Sequence, residues 1–313
     1  MIAVAWIVGT LAVAYAVACY LTGENLLATW WDEWRLRGTD LPHWDAFRAA
    51  NPRRCDLVVT LTTIPSRVDT LGPTLRSLLR QTCAPAEIRL CLPEWSEREQ
   101  RAYVIPAWLA DLRSVRLVRC RDEGPATKFL STLRDVAPDQ AVVVVDDDRV
   151  YHPRLMETYA ALAAARPGVV LSGAGWRVPA DLVDRPTTLG ARLRGAPYVP
   201  RRANQVSAPE RTDIVQGVHS YLVRPRFFDL GELGDFSQAP AAVRFVDDVW
   251  LSAHCRAEKW IFPMRLGFTD YLPWEHRARF RASALGANVN RARVDAERAN
   301  SVALRHFAAR WRT

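Results

Sequence analysis

The run Ala141-Val142-Val143-Val144-Val145-Asp146-Asp147-Asp148 decides the fold class. Five small apolar residues, four of them β-branched, suit a strand covered on both faces, as in the middle of an α/β sheet. Three carboxylates follow at its carboxyl end, where open α/β sheets bind their ligands. Crowding like charges costs energy unless a cation or hydrogen bonds offset the repulsion. Hard oxygen ligands beside an anionic substrate suit Mg²⁺ or Mn²⁺, either of which would also hold a diphosphate.

Outward from this run, short β-branched segments alternate with helix-period segments, the pattern of a sheet with helices on its faces. Strands are predicted at Asp56–Thr62, Glu87–Leu92, Val115–Cys120, Ala141–Val145 and Val169–Ser172, with helices near Val68–Gln81, Ala126–Val136 and Pro153–Ala165. Trp176 to Thr212 then breaks the pattern with five prolines and scattered arginines; so long an irregular stretch inside a domain is usually functional. A strand at Val218–Val223, a helix around Val246–Arg256, a short strand near Trp260–Phe262 and a C-terminal helix complete the expectation. On that last helix Leu304, Phe307, Ala308 and Trp311 share a face while Arg305, Arg310 and Arg312 lie elsewhere, which favours packing on the domain.

At the other end, Ile2 to Thr22 carries no charged residue and is long enough to cross roughly 30 Å of hydrocarbon as a helix. The expectation is a signal anchor, followed by a tryptophan-rich connector. Arg35 and Arg37 on its C-terminal flank favour a single-pass membrane protein with a cytosolic catalytic part. The chain carries a formal net charge of +8, but nine arginines against two acids between Arg277 and Thr313 account for most of it. A continuous basic groove is therefore not expected, which argues against a nucleic-acid partner and leaves a basic tail suited to anionic lipid. The six cysteines form no Cys-x-x-Cys pair and read as small buried residues. The expected organisation is 1–22 transmembrane anchor, 23–54 juxtamembrane connector, 55–275 catalytic domain and 276–313 basic helical tail.

Asp146-Asp147-Asp148, followed by Tyr151 and Pro153, resembles the Asp-x-Asp motif of GT-A glycosyltransferases, in particular the family-2-like bacterial enzymes of surface polysaccharide synthesis. Thr60-Leu-Thr-Thr-Ile-Pro-Ser-Arg67, Gln81-Thr82 and Gly124-Pro-Ala-Thr-Lys128 are similar to the segments that accompany it, over roughly Asp56 to Asp270. The resemblance implies a Rossmann-like mixed sheet flanked by helices, a nucleotide-sugar donor, a Mn²⁺ or Mg²⁺ cofactor and a glycan or lipid-linked acceptor. By it, Thr62, Pro65, Arg67, Asp122, Lys128, Asp146 and Asp147 bind the donor, and Asp146, Asp148 and the late His276 hold the metal. Lys128 at a helix start would add a point charge for phosphate.

Phe245-Val246-Asp247-Asp248-Val249-Trp250-Leu251 is the second acidic constellation. Adjacent acids diverge on a helix, so one is expected to face the cleft while the other caps the first turn. In the inverting enzymes that this resembles, a carboxylate at this place takes the acceptor proton; Asp248 is favoured, with Asp247 the alternative. Trp176 and Gly217 are candidates for the acceptor cleft, because aromatic faces suit sugar C–H surfaces and glycine permits close approach.

Two other readings stand beside this one. Asp146-Asp147-Asp148-Arg149-Val150 fits the Asp-x-Asp-x-Val/Thr motif of haloacid-dehalogenase-like phosphatases, with Asp146 as nucleophile, although Lys259 follows Asp247-Asp248 instead of preceding it. A non-catalytic, membrane-anchored sugar-nucleotide-binding module would keep the same fold.

Overall fold

The computed structural model describes residues 1–285, 290 and 294–311. Its main sheet has eight strands: β1 (Arg54–Thr62), β2 (Ala84–Pro93), β3 (Arg116–Cys120), β4 (Ala141–Val144), β5 (Val170–Ser172), β6 (Glu210–Arg211), β7 (Tyr221–Val223) and β8 (Lys259–Ile261). They lie in the order β6-β8-β5-β7-β4-β1-β2-β3. β4, β1, β2 and β3 are parallel, whereas β7 runs antiparallel between β4 and β5. The result is the mixed, helix-flanked sheet that the GT-A resemblance implies.

The helices used below are α1 (Ile2–Thr22), α2 (Leu26–Arg37), α3 (Leu41–Ala50), α4 (Gly72–Leu79), α5 (Thr127–Leu133), α6 (Leu155–Ala165), α7 (Leu189–Leu193), α8 (Asp247–His254), α9 (Arg277–Ser283) and α10 (Ala299–His306). Alternate residues of the central strands enter two cores. Val59 and Val143 pack with Leu75 and Leu78 of α4 and Tyr159 of α6, while Val58, Val142 and Val144 pack with Phe129 and Leu130 of α5 and Trp250 of α8. Each such aliphatic side chain, fully buried, contributes roughly 1.5–3 kcal/mol. This double coverage keeps the acidic end of β4 rigid at the mouth of the sheet.

The structure corrects three expectations. The helix expected over Val68–Gln81 is a 3-10 turn, Pro65–Thr70, followed by α4, because Pro73 suits only the first turn of a new helix. The strand expected from Val218 begins at Tyr221, after a 3-10 turn at Gly217–His219 and Ser220 in the left-handed region at φ 62°. The connector 23–54 is built into the domain through α2 and α3. Arg80 grips Asp32 with two hydrogen bonds of 2.7 and 2.6 Å, Tyr271 Oη donates to Asp32, and Glu33 accepts from the Trp274 amide.

The end of α1 is also held. Gly23 O accepts from Asn204 Nδ2 and Tyr20 O from Gln205 Nε2, while Glu24 lies 3.6 Å from Arg202 and 4.0 Å from Arg149. Beneath them Asp270, fully buried, faces Arg149 Nε at 3.5 Å and His219 Nδ1 at 2.8 Å. At the chain's other end α10 buries Ala299, Ala303 and Leu304, and Phe307 and Trp311 join the same core, as the helical pattern predicts. Arg312 lies outside the described residues.

Candidate active site

The carboxyl ends of β1 and β4 and the first turn of α8 surround a cavity of about 410 Å³. Both acidic constellations reach it, together with Lys128. Lys128 Nζ lies 2.6 Å from Asp146 Oδ1 and 2.8 Å from Asp247 Oδ2. On its own, burial would lower the Lys128 pKa; Asp146, Asp247 and Asp248 outweigh it and hold the ammonium well above the ordinary lysine value. The charge expected to meet phosphate alone is thus already shared between two carboxylates.

Gly217 closes the group from the other side. Its amide donates to Asp248 Oδ1 at 2.9 Å. A Cβ there would stand 2.5 Å from Lys128 Nζ and 3.2 Å from both Asp146 Oδ1 and Asp248 Oδ1, so only glycine lets the backbone approach this closely. Asp248 Oδ2 makes no hydrogen bond among the described residues. Burial, then the neighbouring Asp247, pushes the Asp248 carboxyl well up, with Lys128 acting against them. The expectation that one acid would cap α8 is overturned. Neither caps it, because Asp247 turns to Lys128 and Asp248 to Gly217.

The three acids after β4 have separate surroundings. Asp146 meets Lys128, and its amide receives no free space: Tyr151 Oη accepts from it at 2.8 Å. Asp147 accepts from Arg67 Nη1 at 2.9 Å and Thr63 Oγ1 at 2.5 Å, and its carbonyl accepts from Thr74. Arg67 spends its remaining nitrogens on Ser283 Oγ and Phe280 O of α9, so Arg67 and Asp147 brace the wall of the cavity. Asp148 has one oxygen 3.5 Å from Arg67 and the other, Oδ1, buried without a hydrogen-bond partner among the described residues. Burial, then Asp147, pushes the Asp148 carboxyl up to about 7.

An orphaned carboxylate oxygen beside Asp146 fits a hard divalent cation in the nature of its donor atoms. Among the described residues, no three His, Cys, Asp or Glu side chains form a metal-holding group, so a cation on Asp148 and Asp146 would take its other ligands from substrate oxygens and water. His276 does not supply one. It precedes α9, with Nε2 3.7 Å from Glu275 and its ring edge against Phe280, and it does not line the cavity. Lys259 lies in β8, away from the cavity that the phosphatase reading would need it to enter.

Of the other expected donor residues, Thr62 lines the cavity and Pro65 does not. Asp122 lines it while accepting from the amides of Glu97 and Gly124, which fixes a turn at the glycine's φ of 63°. Trp176 forms a wall, held by the pairing of Ala174–Trp176 with Ile214–Val215. Sequence reasoning missed Arg98, which donates to Ser283 O at 2.7 Å, and Tyr103, whose hydroxyl donates to Thr63 O at 2.9 Å. Both lie in a charge-rich stretch without periodicity, where no local signal marks a cavity wall.

No family model matches the chain, and no curated protein does. Among solved structures it is similar to the 1–349 segment of S. aureus TarS, at 13% identity, with 82% of this chain and 70% of that chain covered and a TM-score of 0.42.

Proposed function

We propose that this chain is a glycosyltransferase that moves a sugar from a nucleotide-sugar donor to an acceptor hydroxyl, with inversion at the anomeric carbon. The observation that carries the reading is the meeting of Asp146, Asp148, Asp247 and Asp248 around one cavity at the carboxyl ends of parallel strands. The donor diphosphate would lie along the strand ends beside Asp146 and Asp148. A divalent cation bound by these two would supply charge neutralisation for the departing diphosphate.

The remaining chemistry belongs to side chains of this chain. Asp248 presents Oδ2 to the acceptor while Gly217 fixes Oδ1. It takes the hydroxyl proton as the acceptor oxygen forms its bond to the anomeric carbon; the sugar–phosphate C–O bond breaks, and its electron pair leaves with the nucleoside diphosphate. Lys128 keeps Asp146 and Asp247 close without mutual repulsion. Trp176 offers an apolar face to a sugar ring.

Incubating the full-length protein with a panel of nucleotide sugars and Mn²⁺ tests the reading. Transferases commonly hydrolyse their donor slowly when no acceptor is present, so release of nucleoside diphosphate from one donor is expected. Donor binding without any turnover, in the presence of candidate acceptors, would leave a binding module in its place.

A further inference from the structure

A second cavity, of about 270 Å³, shares the lining residue Trp176 with the first. Its wall comes from the irregular stretch between Trp176 and Thr212 and from Tyr20 in the last turn of α1. Arg177, Arg192, Arg201 and Arg211 line it, against one acid, Glu210. Four arginines along a small concavity offer donors for the oxygens of a phosphate, which arginine binds through paired N–H groups.

These arginines are only weakly engaged. Arg192 makes no side-chain hydrogen bond or ion pair among the described residues. Arg177 stands 3.9 Å from Asp213, Arg201 pairs with Glu210 at 3.0 Å and Arg211 with Glu258 at 3.2 Å. All six partners in these pairs are more than a third exposed at the side chain. Such pairs contribute only about 0–1 kcal/mol, so an incoming phosphate exchanges them at little cost.

Position selects the source of that phosphate. α1 is apolar enough to cross a bilayer, and the cavity sits at its C-terminal end, on the side of the domain. α7, whose Arg192 lines the cavity, exposes Leu189 by 56% and Leu193 by 76%, four residues apart and thus on one face. Two bare leucines flanked by arginine beside a membrane helix end suit insertion at the level of lipid headgroups. We propose that the second cavity holds the phosphate-bearing headgroup of a membrane lipid and so presents a lipid-linked acceptor to the donor cavity across Trp176. This deepens the glycosyltransferase reading and rests on it for the acceptor role alone; the lipid site itself stands on the arginines and their place.

The test uses the full-length chain in phosphatidylcholine nanodiscs doped with phosphatidic acid that carries a photoactivatable diazirine near the headgroup. Labelling should map to peptides between Trp176 and Thr212. It should exceed labelling by diazirine-bearing phosphatidylcholine at least fivefold, and fall at least fivefold in the Arg192→Gln/Arg211→Gln variant. Glu210→Gln, which removes the opposing charge, should raise it, and supplies the answer if the double variant fails to fold. Inorganic phosphate at millimolar concentration should compete only weakly; full competition would make the ligand a free anion and overturn the lipid assignment. Equal labelling by both lipids, or labelling unchanged in both variants, would overturn the site itself. Nucleotide-sugar turnover by the wild-type protein is followed in parallel: its absence with labelling intact defeats the transferase reading, whereas turnover without labelling defeats only this inference.

Discussion

Lys128 joins an acid at a strand end to another on a distant helix, and its loss should therefore be felt as charge repulsion. Breaking a buried ion cluster by removing one partner costs roughly 3–5 kcal/mol. Lys128→Met should lower stability in urea denaturation by about that much; a loss below about 1 kcal/mol would refute the cluster as described. Asp148 and Asp248 have separable duties in the proposed reaction. Asp148→Asn should weaken Mn²⁺-dependent donor binding in calorimetry and suppress donor hydrolysis as well as transfer. Asp248→Asn should keep donor affinity while transfer drops roughly 10²–10⁴-fold, the usual contribution of a general base. The opposite pattern in the two variants would reverse their roles.

At the scale of elements, the turn Gly217–His219 carries more of the site than any helix does, since its backbone fills the space between α5 and α8. Gly217→Ala should lower transfer sharply and also cost stability, because its Cβ would push Lys128 off its carboxylates; a near-normal rate and stability would show that Lys128 can move aside. Leu75→Ala in α4 makes the contrasting case: a cost of about 2–5 kcal/mol in stability, with the cavity's chemistry intact in whatever fraction stays folded. The sequence made β4 legible because Val142 to Val145 are buried on both faces and so read as an unbroken apolar run. It made the residues of the cavity legible but not their pairing. Nothing local in Asp247-Asp248 says that a lysine from α5 and an amide from Gly217 approach from two sides, which is why a capping role was the natural expectation. His276 misled for the same reason, since its type suits a metal while its direction is set by α9. The packing of residues 23–54 was not legible, because it depends on Asp32 and Glu33 meeting partners far along the chain.

Across the whole molecule, buried histidines contribute one part of the response to acid, opposed by the raised carboxyls of Asp148 and Asp248. Burial, with the charge of Arg202, holds His219 down to about 4, and burial with nearby Arg80 and Arg154 does the same for His152. Both folded values lie below the roughly 6.5 of an unfolded chain. Between these limits the unfolded state binds protons that the native histidines refuse, so their contribution to stability is full above about 6.5 and is lost as pH falls towards 4. Denaturation midpoints measured from pH 7.5 to 4.5 should therefore fall less, or rise more, in His152→Gln than in the parent chain; identical pH profiles would contradict it. Removing Ile2–Thr22 while keeping α2 and α3 should release a folded domain into the soluble fraction, because the contacts of Asp32 and Glu33 survive the cut. Aggregation of that shortened chain would show that α1 is needed for folding.

Gly23 and Glu24, at the end of α1, are held by Asn204, Arg202 and Arg149 of the domain. If α1 crosses a bilayer, as its length and apolar composition allow, these contacts would carry a tilt of α1 into the position of the cleft. An α1 of 21 residues spans about 31 Å, close to ordinary hydrocarbon thickness. Thinner or thicker bilayers would force mismatch to be relieved by tilt, and with a rigid joint that tilt lifts or sinks the mouth of the cavity relative to the headgroups. For a chain so inserted, the proposed transfer would then depend on lipid chain length through geometry, and equal rates in short-chain and long-chain bilayers would contradict such a coupling.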